Sequence, residues 1–197
     1  MNAPLRRRAL GAVFAAVRAP AALACRAPER LPVLSELPEF TLLERGGAVL
    51  DKAALAGRPA IVDFIFTRCP ASCPLLTARM KELEKRLPES SKVRLLSISV
   101  DPEHDRPEVL ARYAESWQAG PRWLFATGER AAIWELVRRG FLLAVEATPE
   151  DTSSPILHSN RFALIDGEGR MRATYPALEE DALDRILADL ETLEAGR

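Results

Sequence analysis

The chain has 197 residues, of which 48% are hydrophobic and 28% charged, so it can form one domain of ordinary size with a sizeable core. This composition excludes a disordered chain and an integral membrane protein, and the net charge of −1 argues against a nucleic-acid-binding protein, which needs a basic excess to neutralise phosphates. Three cysteines are too few for a disulfide scaffold.

The first residues have the pattern of an export signal. A charged segment, Arg6–Arg8, precedes a short apolar segment, Ala9–Val17, and Ala22–Ala24 supplies an A-x-A cleavage site just before Cys25. We therefore predict a signal peptide over residues 1–24 and export to the periplasmic side of the cytoplasmic membrane, where disulfides persist. The apolar segment is shorter than a membrane span, which needs ~20 apolar residues.

Cys25 has two interpretations. Small residues before a cysteine resemble a bacterial lipoprotein signal, and a lipid on Cys25 would then anchor the chain to the membrane. Otherwise Cys25 is an incidental cysteine beside a discarded peptide, or the first residues stay uncleaved as an anchor. Residues 25–38 contain three prolines and no long apolar run, which predicts a linker ahead of a domain over residues 39–195.

Within this domain, apolar periodicity predicts strands that alternate with helices. A hairpin is predicted first, with Phe40–Leu43 and Ala48–Leu50 as its strands. Two continuous apolar runs, Ile61–Phe66 and Val93–Val100, predict neighbouring strands that are covered on both faces. The other predicted elements are a turn or short helix at Asp51–Gly57, helices at Pro74–Leu87, Glu108–Trp117, Arg130–Arg139 and Glu179–Leu193, an apolar piece at Arg122–Ala126, a strand at Phe141–Val145, a polar loop at Ala147–Pro155, and a hairpin of Phe162–Ile165 and Met171–Tyr175. This order predicts an α/β, thioredoxin-like fold with an N-terminal β-hairpin.

The stretch with the clearest chemistry is IVDFIFTRCPASCP, residues 61–74. Cys69 and Cys73 stand four positions apart where a buried strand gives way to a helix. The helix N-terminus and the positive charge of Arg68 are expected to stabilise thiolates there. Two such thiols can form a disulfide, act as a catalytic redox pair, or bind a soft metal ion, and the alternative is a pair of inert buried cysteines.

Three runs, FIFTRCPASCP, SISVDPEHDRPEVLARYA and LHSNRFALIDGEGR, occur in that order. Together they resemble the Sco/SenC family of thioredoxin-like copper proteins over about residues 36–195. The resemblance implies that Cys69, Cys73 and His158 bind copper. Two sulfurs and one imidazole nitrogen suit Cu(I), and the same site can hold Cu(II) with an added ligand. Structural zinc usually takes four protein ligands.

The run DPEHDRP resembles the DPxxDTP-like loop of that family. The resemblance implies that Asp101 and Asp105 support the metal site or face a partner, although both also suit ordinary loop and helix-cap positions. Arg106 replaces the usual threonine of the loop, and Leu157 stands where an acidic residue often precedes the histidine. His104, in the same charged loop, is interpreted as a solvated residue and not as a ligand.

Three functions are compatible with these features. The resemblance implies a copper metallochaperone that loads the dinuclear copper centre of a haem–copper oxidase, with an oxidase subunit as the receiving partner and copper donors or thiol–disulfide proteins as further partners. The alternatives are a thiol–disulfide oxidoreductase that keeps the cysteines of that centre reduced, and a copper or redox sensor. His158 favours the metallochaperone, because thiol exchange needs no imidazole at that position.

Overall fold

The computed structural model describes residues 31–70, 72–148 and 156–195. The predicted signal peptide, Cys25 and the first residues of the predicted linker lie outside these ranges. Among the helices of the described part of the chain, none combines the length and the apolar character that crossing a membrane requires.

The described strands form an eight-stranded mixed sheet in the order β1-β10-β9-β4-β5-β6-β2-β3, together with a separate two-stranded ribbon of β7 and β8. Their bounds are β1 Ser35–Glu36, β2 Thr41–Glu44, β3 Val49–Asp51, β4 Ala60–Ile65, β5 Arg94–Ser99, β6 Trp123–Thr127, β7 Val145–Ala147, β8 Ile156–His158, β9 Arg161–Ile165 and β10 Arg170–Pro176. The helices are α1 Ser72–Arg86, α2 Pro107–Ser116, α3 Arg130–Glu135 and α4 Ala182–Ala195, with a 3₁₀ turn at Ala53–Leu55 and a π-helical turn at Leu136–Gly140.

The centre of the sheet is the parallel pair β4 and β5, in which Ile61 lies opposite Leu95 and Phe64 opposite Ile98. Every residue of β4 is buried, because α1 and neighbouring elements cover the sheet, and the apolar continuity of the sequence reflects this burial. The prediction that the two runs are buried neighbours is confirmed. Parallel pairing of β4, β5 and β6, with β9 and β10 antiparallel at one side, is the arrangement of the predicted thioredoxin-like fold.

The N-terminal hairpin is also confirmed, as β2 pairs with β3 in antiparallel register. Residues 35–36, inside the predicted linker, form the edge strand β1, in which Ser35 lies opposite Met171. The backbone N–H of Leu34 donates to the Met171 carbonyl at 2.8 Å, and the N–H of Leu37 donates to the Gly169 carbonyl at 2.9 Å. The sheet therefore includes residues 35–36, which the sequence assigned to the linker.

The prediction of a strand at Phe141–Val145 is wrong except for its last residue. Helix α3 runs into the π-helical turn, and Phe141 then packs edge-on against Phe64 with ring centroids 5.0 Å apart. Leu142 has a φ of 53°, a left-handed conformation that does not occur in a strand. The strand begins at Val145 and pairs with β8, which the sequence prediction missed, so that His158 ends a strand instead of standing in a loop.

Candidate metal centre

The two thiols are positioned by the connection between β4 and α1. The backbone N–H of Cys69 donates to the Phe66 carbonyl at 3.2 Å, which closes a tight turn immediately after β4. Cys73 lies in the first turn of α1, four positions later, and both side chains are buried, with 7% and 1% of their surface exposed. Pro74, next to Cys73, is tolerated because N–H groups in the first turn of a helix have no intrahelical acceptor.

His158 reaches the thiols from the β7–β8 ribbon. It lies opposite Val145 in the ribbon, and its ring packs edge-on against Phe66 with centroids 5.6 Å apart. The side chain is largely buried. Phe66 therefore shapes both parts of the site, since its carbonyl holds the Cys69 turn and its ring orients the imidazole.

Cys69, Cys73 and His158 converge on one point. Their sulfur and nitrogen atoms all lie within 4.8 Å of one another, and within the described ranges they are the one group of three or more potential ligands that does so. The Cys73 Sγ is 3.2 Å from His158 Nε2, and His158 Nδ1 is 3.3 Å from the Ser159 carbonyl oxygen. Because a carbonyl only accepts, Nδ1 carries the proton and the Nε2 lone pair faces the thiol.

The thiol of Cys73 is not the activated thiolate that the sequence predicted. Burial raises the pKa of the Cys73 thiol far above its ordinary value, and the neighbouring Cys69 and Asp63 raise that pKa further. Arg68 is directed at the buried carboxylate of Asp101, to which its Nε donates at 2.7 Å. Cys73 is therefore a protonated thiol that donates to His158, and a bound cation is needed to make it a thiolate.

Asp101 and Asp105 lie outside the converging group and hold the turn that leads to it. Asp105 is completely buried and accepts from the backbone N–H of Thr67 at 2.9 Å, from the Thr67 hydroxyl at 2.6 Å and from the Ser99 hydroxyl at 2.6 Å. With Asp101 bound to Arg68, both residues before Cys69 are tied to the loop after β5. These carboxylates fix the backbone from which Cys69 projects.

Asp63 is a residue near the site that the sequence prediction overlooked. It is fully buried in β4, and within the described part of the chain neither carboxyl oxygen has a hydrogen-bond partner. Burial raises its pKa to about 7, and the nearby Ser97 hydroxyl and the His158 side chain offset only part of this effect. The available signal was one acidic residue in an otherwise apolar run, IVDFIF.

The chemical capacity of the site follows from its donors. Two sulfur atoms and one imidazole nitrogen, buried and close together, suit a soft or borderline transition-metal ion such as Cu(I). The two thiols can alternatively join as a disulfide, since they belong to one turn of chain. The carboxylates of Asp101 and Asp105 are turned toward Arg68 and Thr67. Hard cations such as Mg²⁺ or Ca²⁺ prefer oxygen ligands, which the group of Cys69, Cys73 and His158 lacks.

A family model described as SCO1/SenC matches residues 32–194. The SCO1 protein homolog of Bacillus subtilis (strain 168) is 32% identical over 164 residues, which cover 82% of this chain and 84% of the relative. A Stutzerimonas stutzeri protein whose name assigns it provisionally to copper binding is 29% identical over 163 residues, which cover 81% and 79% of the two chains.

Solved structures are similar over the same region. The structure of BsSco, a member of the Sco family of cytochrome c oxidase assembly proteins that contains a disulfide switch, superimposes with a TM-score of 0.75 and 30% identity, covering 84% of this chain and 98% of BsSco. A SCO1/SenC family lipoprotein from Bacillus anthracis str. Ames gives a TM-score of 0.74 at 26% identity, covering 84% and 99% of the two chains. The likeness thus includes the whole region of the converging residues.

Proposed function

This chain belongs to the SCO1/SenC family, and from that premise we propose that it is a copper metallochaperone, which carries copper as cargo and delivers it to the dinuclear copper centre of a haem–copper oxidase. The observation that supports this function is the convergence of two thiols and an imidazole within 4.8 Å. The name of the Stutzerimonas stutzeri relative and the oxidase-assembly role stated for BsSco point to the same cargo and partner.

Each residue has a defined part in this proposal. Cys69 and Cys73 supply sulfur ligands and release their protons when the ion binds, while His158 supplies the Nε2 lone pair that already faces the thiol. Burial of all three side chains limits access of water to the ion, which protects Cu(I) from oxidation. Cu(II) needs an added ligand from solvent or from the partner.

A thiol–disulfide oxidoreductase is the second candidate, because two thiols that are not joined as a disulfide stand in one turn and BsSco contains a disulfide switch. The raised pKa of Cys73 argues against this thiol as an attacking nucleophile, since the thiolate is the reactive form. The closeness of His158 favours metal binding over exchange.

We place this activity on the periplasmic side of the cytoplasmic membrane, with the domain anchored through the N-terminal segment. The export pattern of the first residues supports this location, and the Bacillus anthracis relative is a lipoprotein. The receiving partner is an oxidase subunit. Mass spectrometry of the native protein tests the anchor, which requires either a lipid on Cys25 or an uncleaved N-terminal segment. Cleavage ahead of an unmodified Cys25 would contradict it.

Copper analysis of variants tests the metal site. We expect the wild-type protein, reduced and loaded with Cu(I), to retain one ion per chain, and Cys69→Ser or Cys73→Ser to lose tight binding because an alcohol is a poor ligand for a soft ion. His158→Ala should weaken binding by at least the ~10–100-fold that follows loss of a residue that merely orients a ligand. It should still form the disulfide.

His104→Gln is the matched control, because it removes the other histidine of the sequence and should leave equilibrium copper content unchanged. Oxidase assembly in cells that carry each variant should follow the copper content. Intact copper binding and intact assembly in His158→Ala would contradict the metallochaperone and favour the redox pair.

A further inference from the structure

His104 is held by a buried carboxylate beside the turn that carries Cys69. Its Nδ1 lies 2.9 Å from Asp105 Oδ1, and the Thr67 hydroxyl is 3.5 Å from the same nitrogen. The Asp105 side chain is completely buried, whereas the His104 side chain is 47% exposed. The imidazole is therefore fixed at its inner nitrogen and open to solvent on its outer side.

The contacts of Asp105 determine which nitrogen of His104 carries the proton. Thr67 and Ser99 already donate three hydrogen bonds to this carboxylate, and an ionised carboxylate only accepts. Nδ1 of His104 is thus the protonated nitrogen, and Nε2 keeps its lone pair. Within the described ranges, no hydrogen bond to Nε2 is formed, so this lone pair is available to a ligand from solvent.

An imidazole whose inner N–H donates to a carboxylate is the usual form of a metal-binding histidine. The carboxylate fixes the tautomer and the ring orientation, and it makes the outer nitrogen a better ligand. The sequence indicates a solvated loop residue at this position, because the pattern of charges in DPEHDRP does not reveal that Asp105 is buried. The structure supplies the missing observation.

The position of His104 relates this ligand to the buried site. Thr67 stands two residues before Cys69 and shares Asp105 with His104. Two residues of chain span at most ~7 Å, so the Cys69 backbone lies on the order of 10 Å from the imidazole. The three ligands are largely buried, with exposed fractions of 7% for Cys69, 1% for Cys73 and 9% for His158. An incoming ion therefore first meets the exposed residues beside the site, and we call these residues, which include His104, the rim.

We propose that His104 Nε2 is a metal-docking ligand at this rim, which captures a borderline transition-metal ion such as Cu(II) and passes it to the buried thiols. The inference rests on the proposed function, since it describes how that site is filled. In the transfer, the bond between copper and His104 Nε2 breaks, bonds to the two sulfurs and to His158 Nε2 form, and the two thiol protons pass to solvent. No electron is transferred in this step.

The low histidine count allows an unambiguous spectroscopic test. The sequence has two histidines and three cysteines, so the full-length variant Cys25→Ser/Cys69→Ser/Cys73→Ser/His158→Ala retains His104 as its one imidazole and has no thiol. Titrated with Cu(II) sulfate alone, this variant should show imidazole nitrogen coupling in pulsed EPR. The coupling should disappear when His104→Gln is added. If the imidazole coupling is absent from the variant that retains His104, the proposal is overturned.

Uptake kinetics test the same ligand in the otherwise native protein. When reduced protein is mixed with Cu(II) in a stopped-flow instrument, His104→Gln should load copper severalfold more slowly than wild type and reach the same final copper content. Arg106→Gln, an exposed change in the same loop that removes no metal ligand, should load at the wild-type rate. Equal rates for wild type and His104→Gln would overturn the docking role.

These readouts separate failure of this inference from failure of the metallochaperone. If wild type retains no copper at equilibrium, the proposed function fails, whereas the imidazole coupling in the thiol-free variant still reports on His104. If copper is retained and the rates do not differ, the docking ligand alone is rejected.

Discussion

Asp63 is a carboxylic acid in the middle of the apolar strand β4, and its burial lowers the free energy of unfolding when the acid must ionise. A buried acid without a hydrogen-bond partner favours its neutral form, because the charged form loses its hydration. Its pKa of about 7, against an ordinary value of 3.8, means that the folded protein binds a proton that the unfolded chain has already released above pH 4. The free energy of unfolding therefore depends on pH through Asp63.

The sign of the effect follows from proton binding. Between the two pKa values the folded state holds more protons, so the free energy of unfolding of the reduced, copper-free protein should fall as pH rises from 4 to 7. The full difference corresponds to about 4 kcal/mol. Asp63→Asn should remove most of this slope in urea denaturation at pH 5, 6, 7 and 8, while the exposed control Asp181→Asn should keep it. An unchanged slope in Asp63→Asn would assign the pH dependence to other groups.

The residues of the site differ in how clearly the sequence marks them. The spacing of Cys69 and Cys73, between a strand and a helix, makes the pair visible without any structure. Nothing local marks either His158 or His104 as a ligand, because each is a single histidine without a cysteine or a second histidine beside it in the sequence, and it was the resemblance to a family that selected His158. The burial of Asp105, which gives His104 its fixed tautomer, depends on contacts with Thr67 and Ser99 from two different strand ends.

At the scale of elements, the loop that follows β5 is a support for the loop that follows β4. The carboxyl ends of neighbouring parallel strands meet at one edge of the sheet, so the Asp101–Asp105 segment lies against the Thr67–Cys69 turn. Asp105 accepts four contacts there, three from the strand ends and one from His104. The Cys69 turn thus owes its shape to a neighbouring element as well as to its own sequence.

Removal of this support should affect both folding and copper binding. Asp105→Ala leaves the Thr67 N–H and the Ser99 hydroxyl without their acceptor, and we expect a loss of about 2–4 kcal/mol in the free energy of unfolding. Copper affinity should fall about 10–100-fold, as it does when a residue that orients a ligand is removed. Chemical denaturation and a chelator competition measure the two effects.

Glu103→Gln is the control, because this exposed residue of the same loop pairs with Arg130 at the surface. It should cost less than about 1 kcal/mol. Wild-type stability and wild-type copper affinity in Asp105→Ala would show that the turn keeps its shape by other contacts.

The sequence predicted best those elements that have a local residue pattern, such as a continuous apolar run or a turn motif. Strands β4 and β5 are apolar throughout because they are covered on both faces, and the β9–β10 hairpin is marked by the turn Asp166-Gly167-Glu168-Gly169. The β7–β8 ribbon has three residues in each strand, and the eight residues between its strands, 148–155, have no tight-turn pattern. Such short strands carry no periodicity, and their pairing depends on packing against residues such as Phe66.

At the scale of the whole molecule, the site joins two separate sheets. The eight-stranded sheet carries the thiols through β4 and α1, and the ribbon carries the imidazole through β8. Among the described strands, β7 and β8 have no ladder to the larger sheet. A bound ion with ligands from both parts would therefore tie the ribbon to the sheet, in addition to the packing of Val145 and Ile156 in the core.

Amide hydrogen exchange should show that bound copper links the ribbon to the larger sheet. Binding of Cu(I) should slow amide exchange in Val145–Ala147 and Ile156–His158 more than in β9 and β10, because local opening of the ribbon must break a metal bond. Oxidation to the disulfide, which leaves His158 unbound, should not slow the ribbon. Equal protection of the whole domain by copper would show that the ribbon opens only together with the sheet.

The division of the ligands between two sheets also has a consequence for protein design. The paired cysteines occupy a strand-to-helix turn that belongs to the common scaffold, whereas the imidazole arrives on a small ribbon that is paired only with itself in the described chain. Replacement of the ribbon alone would change the third ligand and leave the dithiol turn intact. Metal preference can thus be redesigned through the ribbon, separately from the fold that presents the thiols.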